Sequence, residues 1–117
     1  MAVTGQRNRK STVSRGEVHL VDLDPTRGSE IRKTRPCVVV SPDELNHHLN
    51  TVMVAPLTTG GQTYPWRVGC QFAGRSGSVV VDQLRTVDTE RLVRRLGTLD
   101  SATFDSVLTK LQEMFSR

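Results

Sequence analysis

A mainly β domain closed by one amphipathic helix is the fold class this sequence predicts, and three observations predict it. Short β-branched runs recur along the chain: EVHLVDLD (17–24), CVVVSP (37–42), TVMVAPLT (51–58) and SVVVDQ (78–83). Turn residues separate them, with Pro25 and Gly28 after the first, Pro42 after the second, Gly60 and Gly61 after the third, and Gly74 and Gly77 before the last. Only past Asp100 does the apolar spacing change from two to three-and-four.

In EVHLVDLD, Val18 and Leu20 alternate with Val21 and Leu23, so the segment reads as a strand running into a loop at Pro25. CVVVSP is a second strand stopped by Pro42, and DELNHHLN (43–50) then has room for about two helical turns starting near Asp43. TVMVAPLT is a third strand in which Pro56 implies an edge or a bend. WRVGCQF (66–72), SVVVDQ (78–83), LRTVD (84–88) and the short LGTLD (96–100) complete the strands, at a spacing that suits a small barrel or sandwich. From a cap at Asp100 or Ser101, the residues Phe104, Val107, Leu108, Leu111, Met114 and Phe115 form the apolar stripe of a helix.

The 117 residues suit one domain. Four of the sixteen basic residues, Arg7, Arg9, Lys10 and Arg15, lie in residues 1–16, where there is no acid; the remaining twelve are matched by twelve acids. The net charge of +4 is therefore a property of the N-terminal segment. Residues 1–14 are expected to form a basic, flexible tail and 15–117 the domain, the tail being either a solvated end or a general attraction for phosphates. The opening residues lack the apolar stretch of roughly 7–15 residues of a secretory signal, and no run approaches the ~18 of a membrane span. The expected location is the cytoplasm. Cys37 and Cys70 sit in apolar runs, which suits buried thiols rather than a disulfide. His19, His47 and His48 show no HxH or HxxxH spacing and no CxxC occurs, so neither a metal nor a cofactor is expected.

One segment is dense in chemistry. Between Pro25 and Pro36 lie Arg27, Glu30, Arg32, Lys33 and Arg35. On composition this is either a solvated loop or a set of guanidinium groups gathered to hold phosphate oxygens through paired hydrogen bonds. TYPW (63–66) adds two of the five aromatic residues on another loop, placed either to stack on unpaired bases or to pack at a rim.

The order RGEVHLVDLDPTRGSEIRKTRPCVVVSP, followed by APLTT (55–59), TYPWRV (63–68), VDQLRTVD (81–88) and a closing helix, resembles the MazF/PemK (Kid) family of bacterial toxin ribonucleases over roughly residues 15–115. The resemblance implies an SH3-like or CcdB/PemK-type barrel, a homodimer, and metal-independent cutting of single-stranded RNA by attack of a ribose 2′-hydroxyl on the adjacent phosphate. It also implies a cognate antitoxin whose acidic, disordered segment covers the RNA site. Arg35, in TRP, matches the family's active-site arginine. A guanidinium rarely gives up its proton, so a phosphate clamp suits it better than a general acid. Thr58, in APLTT, matches the active-site threonine, with Thr59 its near substitute. Glu30, in GSE, is the carboxylate nearest to hand for the 2′-hydroxyl proton, and Asp82 in VVDQ is a further catalytic or structural candidate. Arg27, Ser29, Arg32, Lys33, Tyr64, Trp66 and Arg85 are expected to bind RNA, and residues 60–67 to choose its sequence. Ser29 and Val80 replace the histidine and arginine of the PemK branch, which places the site nearer the MazF form.

Two other functions fit the same fold. A CcdB-like protein grips gyrase without cutting nucleic acid, relying on a helix end with tryptophan, glycine and isoleucine, whereas this chain ends EMFSR. A nonenzymatic RNA binder keeps the basic loop and shows no cleavage.

Overall fold

In the computed structural model, which describes residues 13–60 and 64–117, seven antiparallel strands form the body. They are β1 (Glu17–Asp22), β2 (Thr34–Val39), β3 (Thr51–Thr59), β4 (Arg67–Phe72), β5 (Arg75–Val80), β6 (Arg85–Asp88) and β7 (Leu92–Thr98); α1 (Asp43–Asn46) follows β2 and α2 (Ser101–Met114) closes the chain. The strand order is β4-β5-β3-β2-β1-β7, with β6 also paired to β3. The two ends approach one another: a Cβ added to Gly97 of β7 would lie 3.2 Å from the ring of Phe72 in β4. The expected mainly β fold with two helices is the one observed.

The β-branched runs form these strands because both faces of the central sheet are buried. Val18, Val38, Ala55 and Leu57 point into one core with Val79, Val81 and Leu99, under Val107 of α2. Their neighbours Val21, Cys37, Val39, Val52 and Val54 point into a second core with Val13, Leu23 and Val87. The period of two thus puts alternate residues of one strand into different cores, and CVVV needs no polar position. Val13 is buried in the second core, so packing starts just before the expected domain boundary; the rest of the basic segment, residues 1–12, lies outside the described residues. Burial drives the buried Cys37 thiol up to about 12; Cys70, expected to be buried, is half-buried, and burial with the nearby Asp100 charge raises its thiol too, so both are held as neutral thiols at neutral pH.

Several boundaries differ from expectation. The region 43–50 contains one helical turn, not two. Asn46 is fully buried, where its side-chain amide donates to the Ser41 carbonyl (2.9 Å) and accepts from the Ser41 hydroxyl (2.6 Å). Leu45 and Leu49 remain exposed, so no apolar face holds a second turn down. β5 starts earlier, at a hairpin whose turn residues Ala73 (φ 53°) and Gly74 (φ 78°) are both left-handed, and ends at Val80, where Val81–Gln83 form a 3-10 turn. β7 begins at Leu92 rather than at Leu96. Pro56 sits where β3 changes partner from β6 (Thr51–Val54) to β5 (Leu57–Thr59), so its missing N–H falls in a gap on that side. α2 is capped by Asp100, whose carboxylate accepts from the Thr103 N–H at 3.0 Å.

At the start of β1, Glu17 accepts from the His19 ring (2.9 Å) and the Ser14 N–H (3.0 Å) and pairs with Arg95 (3.1 Å). Burial raises the Glu17 pKa, but these bonds more than offset it and hold the carboxyl below its ordinary 4.5. A depressed carboxyl stabilises the fold above its unfolded value and loses that contribution as pH falls through the folded value. Urea-unfolding midpoints should therefore drop as pH falls below 4.5, and Glu17→Gln should flatten that part of the curve.

Candidate active site

The segment between β1 and β2 is tied down at its base. The Leu23 N–H donates to the Lys33 carbonyl (2.9 Å), and the Lys33 N–H, at a left-handed residue (φ 70°), donates to the Asp24 carboxylate (3.1 Å). Arg85 donates to the Leu23 carbonyl (3.1 Å), and Arg91 to the carbonyls of Asp22 (3.1 Å) and Asp24. At the tip the Arg27 N–H donates to Glu30 Oε1 (2.6 Å), the Glu30 N–H returns a bond to the Arg27 carbonyl (3.1 Å), and Arg32 donates to the Gly28 carbonyl (2.9 Å). The last tie is remote in sequence: the Ile31 N–H donates to Gln83 Oε1 (2.8 Å) while the Ile31 side chain packs on the second core. A stretch rich in charge is thereby held as a shaped loop, as positioned chemistry requires.

Arg35 and Pro36 lie not in this loop but in β2, where Arg35 pairs with Val21. The Arg35 side chain is exposed, and its Nε donates to the Arg32 carbonyl at 3.2 Å. Both terminal guanidinium nitrogens are without a protein partner among the described residues. Thr58 and Thr59 end β3 beside β5, and the Thr58 hydroxyl meets the Ser78 hydroxyl at 3.3 Å. Gly77 sits against them so closely that a Cβ there would lie 1.9 Å from the Thr58 carbonyl oxygen.

Two clefts flank the loop. One, of about 870 Å³, is lined by Ser29, Glu30, Arg35, Thr58 and Thr59, together with Arg75 and Arg94. The other, of about 620 Å³, is lined by Ser29, Glu30, Asp82, Gln83 and Arg85. Ser29, Glu30 and Ile31 line both and are thus the wall between them. Arg35, Thr58, Thr59 and Glu30 share one cleft, while Asp82 and Arg85 face the other and Asp82 pairs with Arg67 at 3.5 Å. Arg27, Arg32 and Lys33 line neither. Nor do Tyr64 and Trp66, whose rings lie under the Arg67 guanidinium (4.5 Å) and the Lys110 ammonium (5.7 Å) respectively. In the loop expected to choose the RNA sequence, residues 61–63 lie outside the described residues. Among the described residues, no three of His, Cys, Asp and Glu are grouped to hold a metal ion, and no helix is long and apolar enough to cross a membrane.

Sequence reading missed Gly77, Ser78 and Gln83, whose roles depend on strand register or on a contact 52 residues away, and the cleft arginines Arg75 and Arg94. Nothing in local spacing marks any of them.

Residues 14–115 match the model of a family described as PemK-like, MazF-like toxins of type II toxin-antitoxin systems. Endoribonuclease PemK of Escherichia coli is 36% identical over 114 residues, covering 92% of this chain and 86% of that protein. Endoribonuclease MazF9 of Mycobacterium tuberculosis is 38% identical over 99 residues, covering 75% and 83%. Among solved structures, MazF from Deinococcus radiodurans superposes with a TM-score of 0.78 at 25% identity, covering 87% of this chain and 94% of its own. A mycobacterial endoribonuclease in complex with its cognate antitoxin gives 0.73 at 27%, covering 86% and 92%.

Proposed function

The chain belongs to the PemK-like, MazF-like family of type II toxins, and from that membership we propose that it is an endoribonuclease toxin that cuts single-stranded RNA at a short sequence without a metal ion, stops translation and growth, and is neutralised by a cognate antitoxin. The observation that supports this reading most is the convergence of Arg35 from β2, Thr58 from the end of β3 and Glu30 from the loop between β1 and β2 on one open cleft. Proximity of groups from three elements is what a reaction at one phosphorus requires.

In the proposed reaction the ribose 2′-oxygen attacks the adjacent phosphorus, its proton passes to Glu30, and the bond to the 5′-oxygen breaks as that oxygen takes a proton from a solvent water in the open cleft. The products are a 2′,3′-cyclic phosphate and a 5′-hydroxyl. Negative charge gathers on the non-bridging oxygens in the transition state, and Arg35 meets it with the two terminal nitrogens left without a protein partner. The Thr58 hydroxyl, held by Ser78, donates to one of those oxygens. Glu30 Oε1 already accepts the Arg27 N–H, which fixes the carboxylate and leaves Oε2 to take the proton. Thr59 stands beside this centre. Asp82, paired to Arg67 and lining the other cleft, has a structural part, and Arg85 braces the loop through Leu23.

The antitoxin enters on the same electrostatics: an acidic, disordered segment competes with RNA for the field of Arg35 and its neighbours and crosses Trp66. The active form is a homodimer in the cytoplasm. To test the function, purified protein is incubated with a long unstructured RNA in excess EDTA and the new ends are mapped. Cyclic-phosphate ends at one short sequence are expected. Intact RNA, or cutting that appears only when a divalent metal is restored, overturns the reading.

A further inference from the structure

Two arginines in the Arg35–Thr58 cleft have no part in that chemistry. Arg75 opens β5, paired with Phe72, and Arg94 lies in β7, paired with Leu20 of β1. In strand order, Arg75 (β5), Thr58 (β3), Arg35 (β2) and Arg94 (β7) follow one another across the sheet. β2 and β7 flank β1, so the backbones of Arg35 and Arg94 are about 10 Å apart. Both Arg75 and Arg94 are exposed, and neither makes a side-chain hydrogen bond or ion pair among the described residues. Their neighbours differ: Arg32, Arg85 and Arg91 are spent on backbone carbonyls, and Arg67 on Asp82. The cleft has one carboxylate, Glu30, to set against three guanidinium groups. Like charges gathered without counter-charge weaken a fold and suit a polyanion that supplies the missing charge.

We propose that Arg75 and Arg94 are substrate-binding residues that hold the phosphates on either side of the scissile one, so that the RNA strand runs across the cleft from β5 to β7. The proposal rests on the RNA-cutting reading and adds the path of the substrate. Such contacts carry no base information: they set affinity and its dependence on salt, not the cleavage sequence.

The test uses a short oligoribonucleotide containing the mapped site, with one 2′-deoxyribose at the attacking position so that it binds uncut. Its Kd is measured against KCl concentration for the wild type and for Arg75→Gln and Arg94→Gln. Each variant should lower the slope of log affinity against log salt by about 0.7 and the double variant by about 1.4, as for one and two lost phosphate contacts on a single strand. With cuttable RNA the loss should fall on KM, at the same cleavage sequence. Arg75→Lys and Arg94→Lys, which keep the charge, should keep the slope. Arg117→Gln, an equal change of charge at an exposed residue outside the cleft, should also leave it unchanged. Wild-type slopes in both glutamine variants, or an equal drop in Arg117→Gln, overturn the proposal while leaving RNA cutting in place. A wild type that neither binds nor cuts RNA overturns the functional reading and this inference with it.

Discussion

Replacing Arg35 with alanine is expected to lower kcat/KM for RNA cleavage by about 10²- to 10³-fold, the usual cost of removing one preorganised donor that meets charge developing in a transition state. The fold should be little changed, because the side chain is exposed and its one hydrogen bond among the described residues, from Nε to the Arg32 carbonyl, is of a kind worth about 1 kcal/mol or less at a surface. Arg35→Lys should recover only part of the loss, since an ammonium supplies charge without the paired fork. Single-turnover cleavage rates beside thermal midpoints check this. A folded Arg35→Ala that cuts at the wild-type rate removes Arg35 from the site.

Gly77→Ala is expected to damage stability and cutting together. The added methyl would lie 1.9 Å from the Thr58 oxygen and 3.0 Å from its carbonyl carbon, and both are backbone, with no rotamer through which to yield. β3 and β5 must separate where Thr59 pairs with Gly77. Overpacking of this kind costs about 1–3 kcal/mol. The same movement displaces Thr58 from Ser78 and shifts it within the cleft that Arg35 also lines, and a shift near 1 Å at a reacting centre costs about 10²-fold in rate. Gly69→Ala in β4 is the matched control: nothing lies within 4 Å of its added Cβ, so stability should stay within about 0.5 kcal/mol. Urea unfolding and cleavage rates of the two variants separate a local clash from a general intolerance of alanine in the sheet.

The strands were legible because β-branched residues sit on both faces of a sheet with a core on each side, and α2 was legible from Phe104, Val107 and Leu111 behind an aspartate cap. What escaped was whatever depended on distant partners. The first half of β7, LVRR, carries the exposed residues Val93, Arg94 and Arg95 on an end strand, so it has no alternation to show. The 3-10 turn Val81–Gln83 continues a strand-like run and breaks it so that Gln83 can reach Ile31. The helix expected over 43–50 is shorter for a different reason, a buried asparagine that spends its amide on Ser41 and ends the helix after one turn.

The candidate site was legible to the same degree. Arg35 and Thr58 were picked out by family resemblance and Glu30 as the nearest carboxylate for the proton, and all three line one cleft. The loop alone offered five charged residues with no means of ranking them. Geometry divides them: Arg32 bonds the loop to itself, Glu30 is fixed by the Arg27 N–H, and Arg35 belongs to a strand. Asp82, expected to be catalytic or structural, and Arg85, expected to bind RNA, face the second cleft. Separating them takes the wall formed by Ser29, Glu30 and Ile31, which exists only once the loop is folded.

The central claim is that this cleft directs a ribose 2′-oxygen onto the adjacent phosphorus, and a single-atom change in the substrate tests it most directly. An oligoribonucleotide spanning the mapped site is compared with the same strand carrying 2′-deoxyribose only at the attacking nucleotide, in excess EDTA. The all-ribose strand should be cut to a cyclic phosphate and a 5′-hydroxyl, while the 2′-deoxy strand should bind and remain intact. Cutting of the 2′-deoxy strand at the same bond would contradict the account.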